Sequence, residues 1–247
     1  MNQQTDSKPK LKVLVFDDAE LHRQSATLLL GQDYDLTVVG TYDEAQAALL
    51  EKTDLDKMEN IFAEKFGDCH PYKAGIDDVL RRERIDFYHG EAKEQATTYP
   101  DFDIVLTDLL VPASGQAQGG EGMKFIGQEM PLGTTIALLA LCAGVKKVAV
   151  VTDMNHHHHP ASAAFDCLNG MKSKLEGIGI ICTNRCGGVP IDETTGELVE
   201  KEFLKSDEGK KKYPYVGDSN WGPRNGLGYG KDWKTVLLKL TCELKEK

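Results

Sequence analysis

Two adjacent acids, Asp17 and Asp18, close the apolar run Leu11 to Phe16, and a third, Asp108, closes the run Phe102 to Thr107. Thr152 stands in the same relation to Lys147 to Val151. Short runs that are apolar nearly throughout suit strands covered on both faces. In an open parallel sheet the carboxyl ends of the strands line one edge, and ligands bind there where the strand order reverses. If the first and third strands are neighbours, Asp17, Asp18 and Asp108 converge. Carboxylates at close quarters repel unless a cation sits among them, and hard oxygen ligands with room for water suit Mg²⁺. A carboxylate beside Mg²⁺ can attack an activated phosphorus to give an aspartyl phosphate. Any one acid at such a place could simply cap a solvated sheet edge; the set carries the expectation.

The elements around these residues follow an alternating pattern. Glu20 to Leu30 reads as a helix stopped by Gly31, Leu36 to Val39 as a strand, and Asp43 to Leu50 as a second helix. This β-α-β-α opening is the signature of a parallel sheet. The charged stretch Lys52 to Pro100 interrupts it and carries two helical segments, near Leu55 to Phe66 and Ile76 to Arg84. After the third strand come a Gly/Ser/Gln loop over Ala113 to Gly120 and helical material from Glu121 to about Ala143, broken near Pro131 and Gly133. A helix over Ala161 to Leu175 and a fifth strand over Ile178 to Cys182 complete the alternation. Asp-Glu-Thr-Thr-Gly-Glu within Pro190 to Glu202 signals a hairpin, and Ser206 to Gly230 reads as irregular. Trp233, Val236, Leu237, Leu240 and Leu244 share one face of a last helix over Asp232 to Leu244. The fold class expected is α/β: a flavodoxin-like, doubly wound parallel sheet of five strands in the order 2-1-3-4-5. It forms one domain over 1–247, with a core of 11–51, 102–183 and 231–245, a helical insertion at 52–100 and an extension at 184–230.

Four stretches carry a resemblance: Lys12-Val-Leu-Val-Phe-Asp17-Asp18, Asp103-Ile-Val-Leu-Thr-Asp108-Leu-Leu-Val-Pro112, Gly122-Met-Lys-Phe-Ile126 and Lys147-Val-Ala-Val-Val-Thr152. Together they resemble the receiver domain of two-component response regulators over roughly half the chain, in an atypical form with insertions and a divergent tail. The resemblance implies that Asp108 is the phosphoacceptor. It implies that Asp17 and Asp18 hold Mg²⁺ with Asp108 and the backbone carbonyl of Leu110, and that Thr152 hydrogen-bonds the phosphoryl oxygen and acts as the switch. It also implies a histidine kinase or phosphotransfer protein as phosphoryl donor and a protein, of unknown identity, as output partner.

The chain departs from that family in two places. The family has a Lys just after the fifth strand, where this chain reads Cys182-Thr-Asn-Arg-Cys186; Arg185 is the one positive charge available there, and its planar fork is no neutral substitute. The small residue expected after Thr152 is Asp153. His156 to His159 add four imidazoles after the fourth strand, which suit Zn²⁺, Ni²⁺ or Cu²⁺, a pH response, phosphate acceptance, or no role beyond a solvated loop.

Composition bounds the remaining classes. The chain has 247 residues, with 29 Lys plus Arg against 39 Asp plus Glu, a net charge of −10. That balance argues against a broad grip on nucleic acid or an anionic membrane. No apolar run is long enough to span a bilayer, and Met1 to Lys10 lacks a secretory hydrophobic stretch, so a cytoplasmic location is expected. The six cysteines do not describe a disulfide framework. Phe16-Asp-Asp-Ala-Glu20 has no glycine where a dinucleotide fingerprint would need it. Two alternatives stand beside the phosphorylated receiver: a degenerate receiver used as a binding platform, and a Mg²⁺-dependent phosphatase resembling the haloacid dehalogenases. The latter wants Asp-x-Asp after the first strand, and Asp17-Asp18-Ala-Glu20 offers an imperfect version.

Overall fold

The structure is a computed structural model and describes residues 9–114, 120–153, 159–168, 179–183, 187–216 and 223–242. His156 to His158, Arg185, Cys186 and Leu244 lie outside these residues.

A parallel sheet forms the centre, from β1 (Lys12–Phe16), β2 (Asp35–Val39), β3 (Ile104–Asp108) and β4 (Lys147–Val151). Its strands run side by side as β2-β1-β3-β4, and β5 (Gly179–Thr183) pairs in the same sense with β4. Val13, Leu14, Val15 and Phe16 are all fully buried, as a strand covered on both faces requires. Side chains alternate between faces. Val13, Val15, Ile104, Leu106, Ala149 and Val151 pack with Ala26 and Leu30 of α1 (Glu20–Leu30) and with the last helix. The same element order places α2 (Tyr42–Leu49) after β2.

Residues 49–100 form a compact unit of their own, and 1–48 with 101–247 form the other. The smaller unit contains α3 (Leu55–Phe66) and α4 (Asp78–Phe87). Asp54 caps α3 by accepting the Lys57 N–H, and Asp77 caps α4 by accepting from Val79 and Leu80.

Two stretches differ from the sequence expectation. Instead of helix from Glu121, a 3₁₀ segment spans Gly120–Phe125, and Glu129–Met130 pairs antiparallel with Val111–Pro112. Gly127, at φ 76°, turns the chain between them, and the helix α5 (Leu132–Cys142) starts only after Pro131. The resemblance stretch Gly122 to Ile126 is therefore no helix start.

The second difference is in the tail. Ser206 to Gly230 is not irregular throughout: it contains a short helix at Asp207–Lys212 and the strand β7 (Leu227–Lys231). The antiparallel partner of β7 is β6 (Gly188–Asp192). The predicted turn does form, with Gly196 N–H bonded to the Asp192 carbonyl, but the returning chain makes only a bridge, Ile191 to Leu198, and β7 takes the ladder. The chain ends its described part in α6 (Trp233–Cys242), whose Trp233, Val236, Leu237 and Leu240 are buried in the core. Burying each such side chain contributes about 1.5–3 kcal/mol, which fastens α6, and β7 just before it, to the sheet. Among the described residues no helix is long and apolar enough to cross a membrane.

Candidate functional site

The acids converge at the carboxyl edge of β1 and β3. Because Phe16 is paired with Thr107, the next residues of the two strands, Asp17 and Asp108, emerge side by side. One oxygen from each of Asp17, Asp18 and Asp108 lies within 4.8 Å of the others. Asp17 and Asp108 are buried and Asp18 is half-buried. Thr152, buried, follows β4, whose last residue Val151 is paired with Asp108, and Leu110, also buried, lies two residues beyond Asp108.

Backbone groups hold the acids in place. Asp17 accepts the Ala19 N–H at 3.0 Å, and Asp108 accepts the Leu109 N–H at 2.8 Å. The Arg23 guanidinium donates to the carbonyl oxygens of Asp17 and Asp18 from behind, pinning the loop after β1. Gly133 lets α5 approach the other side: a Cβ there would sit 1.6 Å from the Asp108 carbonyl oxygen.

The residue that sequence reasoning missed is Lys231. Its ammonium donates at 2.7 Å to Asp17 Oδ2, lies 2.7 Å from Asp108 Oδ1 and 3.6 Å from Asp153 Oδ1, and the residue is 1% exposed. It enters from the last residue of β7, where the extension rejoins the core, and not from the segment after β5. Its position depends on a close approach of β7 to α1. A Cβ on Gly230 would come within 2.4 Å of Ser25 Cβ, and one on Gly228 within 2.6 Å of Leu21 Cδ2. Ser25 Oγ donates to the Lys231 carbonyl at 2.9 Å, and Trp233 Nε1 donates to the His22 carbonyl at 2.9 Å, locking both sides of Lys231 onto α1. Leu-Gly-Tyr-Gly-Lys231 was legible as a strand of this kind only through its alternating glycines, which otherwise count against a strand.

Burial pushes the Asp108 carboxyl up to about 7, with Lys231 opposing and Asp17 reinforcing the rise. Asp18 is also raised, by burial and then by Asp17. For Lys231, burial works against the ammonium, but Asp108, Asp17 and Asp153 outweigh it and raise its pKa. Asp153, the departure from the resemblance, is held well below the usual carboxylate range by the hydrogen bond from His22, against its partial burial and with help from Lys231.

The pocket thus sets three acidic side chains against one buried ammonium, a deficit that a small divalent cation with oxygen ligands fits. Asp17, Asp18 and Asp108 are the residues that could hold such an ion. No family model, curated protein or solved structure matches the chain.

Proposed function

We propose that this protein is an atypical receiver-like phosphoacceptor, built on a flavodoxin-like sheet of five strands in the order 2-1-3-4-5. In this reading Asp108 accepts a phosphoryl group from a phosphohistidine on a histidine kinase or phosphotransfer protein. The observation that carries it is the Lys231 ammonium, 2.7 Å from both Asp17 Oδ2 and Asp108 Oδ1. The resemblance calls for a lysine at the phosphoryl group. The chain lacks one after β5 yet has one, buried, against the proposed acceptor.

A free Asp108 oxygen attacks phosphorus as the P–N bond to the donor imidazole breaks, its electron pair leaving with the nitrogen. Lys231 then stabilises the negative oxygens of the transferred group, where a buried ammonium acts in a low dielectric. Thr152, at the end of the adjacent strand, donates its hydroxyl to another of them. Asp17, Asp18, Asp108 and the Leu110 carbonyl would hold Mg²⁺, which when bound screens the charge of acceptor and phosphoryl group. The output is contact with a protein partner. The dehalogenase-like alternative needs an acid two residues after Asp17, and that position is Ala19.

Incubation with Mg²⁺ and a small acyl phosphate, read by intact mass, tests the reading. The expected result is one phosphoryl adduct that requires Mg²⁺ and is absent from Asp108→Asn. An unchanged adduct in Asp108→Asn, or none in the wild type with Mg²⁺ bound, would overturn it. Continued turnover of a phosphomonoester by Asp108→Asn would point to the phosphatase instead.

A further inference from the structure

Strand β2 lies at one end of the sheet, and among the described residues nothing pairs with its outer edge. Its hydrogen bonds fix which of its residues face that edge. The Asp35 N–H donates to the Leu11 carbonyl at 2.9 Å, and the Val39 carbonyl accepts the Asp17 N–H at 3.2 Å, so Asp35 and Val39 face β1. Backbone groups alternate in direction along a strand. Thr37 therefore also faces β1, while Leu36 and Val38 present N–H and C=O outward. The half-buried side chains of Leu36 and Val38, with Tyr34, Thr27 and Gly31, line an open groove of about 790 Å³. Asp35 and Thr37 point to the opposite face and are exposed. Sheet edges are commonly blunted by Lys, Pro or a bulge, and Asp-Leu-Thr-Val-Val carries none of these.

We propose that β2 is a homodimer interface, where a second copy of this chain pairs antiparallel about a two-fold axis through Thr37 and joins the two sheets into one. The inference does not depend on the phosphoacceptor reading. Self-complementarity is what points to a second copy. About that axis Leu36 lies opposite Val38 of the second copy, and Val38 opposite its Leu36. These are the residues whose backbone groups face outward, so every outward N–H and C=O of the two finds a partner.

The side chains agree with the same register. Thr37 meets Thr37 of the second copy as a non-hydrogen-bonded pair, where side chains come closest and a threonine pair is favourable. The axis is normal to the sheet, so the two grooves open on one face and meet, apolar against apolar. Asp35, the one charged residue of β2, lies opposite Val39 and away from its own counterpart. A bare peptide could bond this edge, but a second copy brings a matching groove with it. The two-fold also closes the assembly at two copies.

Light scattering of the full chain over a concentration series tests the interface. The mass should rise toward twice that of the monomer. Thr37→Lys sets two ammonium groups against each other at the axis, on a side chain that is exposed in the monomer, and should weaken the dimer about tenfold or more. Val38→Pro removes an outward N–H without touching the bonds to β1 and should act in the same direction. Cross-linking reads the register. In Thr37→Cys the paired Cα atoms are about 4.5 Å apart, within disulfide range, and mild oxidation should give a 37–37 bridge by peptide mapping. Asp35→Cys, roughly 13 Å from its counterpart, should give no bridge above the wild-type background. A dimer that Thr37→Lys leaves intact would overturn the inference, as would equal bridging in Asp35→Cys. A monomer at every concentration would also overturn it; amide exchange protection at Leu36 and Val38 in that monomer would assign the edge to a segment of the same chain.

Discussion

Lys231 and Arg84 are both buried cations, and their surroundings differ in kind. Arg84, in the 49–100 unit, donates to the Asp68 carboxylate and at 2.8 Å to the His70 carbonyl, with its guanidinium carbon 4.9 and 4.8 Å from the ring centres of Phe62 and Phe66. Asp68 has further donors in the His70 N–H and Lys73, and these, with Arg84, hold its carboxyl well below the usual range. The acid there is saturated with donors, two of them cations, and the cluster ties the loop after α3 and Arg84 of α4 to the rings of Phe62 and Phe66 on α3. Around Lys231 the count is uneven: Asp17, Asp108 and Asp153 all lie near one ammonium, Asp18 adds to the set, and Asp108 is pushed toward its neutral form. A carboxylate with all its donors in place serves the fold. An unbalanced buried set persists only because the surrounding core holds it, and it is poised to take a cation or react.

Removing each cation should separate the two regions most sharply. Lys231→Met leaves Asp17 and Asp108 buried without their partner, an expected loss of about 3–5 kcal/mol by urea unfolding in metal-free buffer. Mg²⁺ should recover much of it. Arg84→Met leaves Asp68 its other donors, so the expected loss is about 1–3 kcal/mol, and Mg²⁺ should change nothing. Equal Mg²⁺ responses in the two variants would erase the distinction.

Acid should act with opposite sign on the two clusters. The native Asp108 carboxyl, at about 7, lies above its unfolded value of about 3.9. Across that window the native state holds a proton the unfolded chain has lost, so its contribution to stability falls as pH rises. Asp68 is shifted the other way, so its contribution is present above about pH 4 and is lost as pH falls below it. Amide exchange in metal-free buffer should therefore show β1 and β3 better protected at about pH 5 than at about pH 7.5. Protection of α3 should decline only in stronger acid. Parallel trends would contradict the contrast.

A smaller effect should come from the glycines that seat Lys231. Gly230→Ala meets Ser25 Cβ, close to the α1 backbone, and should cost about 1–3 kcal/mol. Gly228→Ala meets only the end of the Leu21 side chain, which can move, and should cost less. If both are equally mild by thermal unfolding, β7 is not held by close approach to α1.

These particulars also explain what was legible beforehand. The parallel α/β core and the meeting of Asp17, Asp18 and Asp108 followed from short apolar runs that end in acids. Such strands are buried on both faces and leave a strong local trace. The two helical stretches expected near 55–66 and 76–84 form as α3 and α4. Lys231 was not, because its contact with Asp17 spans most of the chain and its strand is built on glycines required by α1. The 120–131 segment misled for a related reason: a helix-compatible composition is overridden by the turn at Gly127.

The central claim is that Asp108 is the phosphoacceptor of a pocket completed by Lys231. The most direct measurement is borohydride trapping after exposure to acyl phosphate and Mg²⁺, followed by peptide sequencing by mass spectrometry. An aspartyl phosphate is reduced to homoserine, so the account predicts homoserine at position 108, dependent on Mg²⁺. Trapping at another acid, or a phosphoryl group recovered on the histidines near 156–159 with Asp108 unmodified, would contradict it.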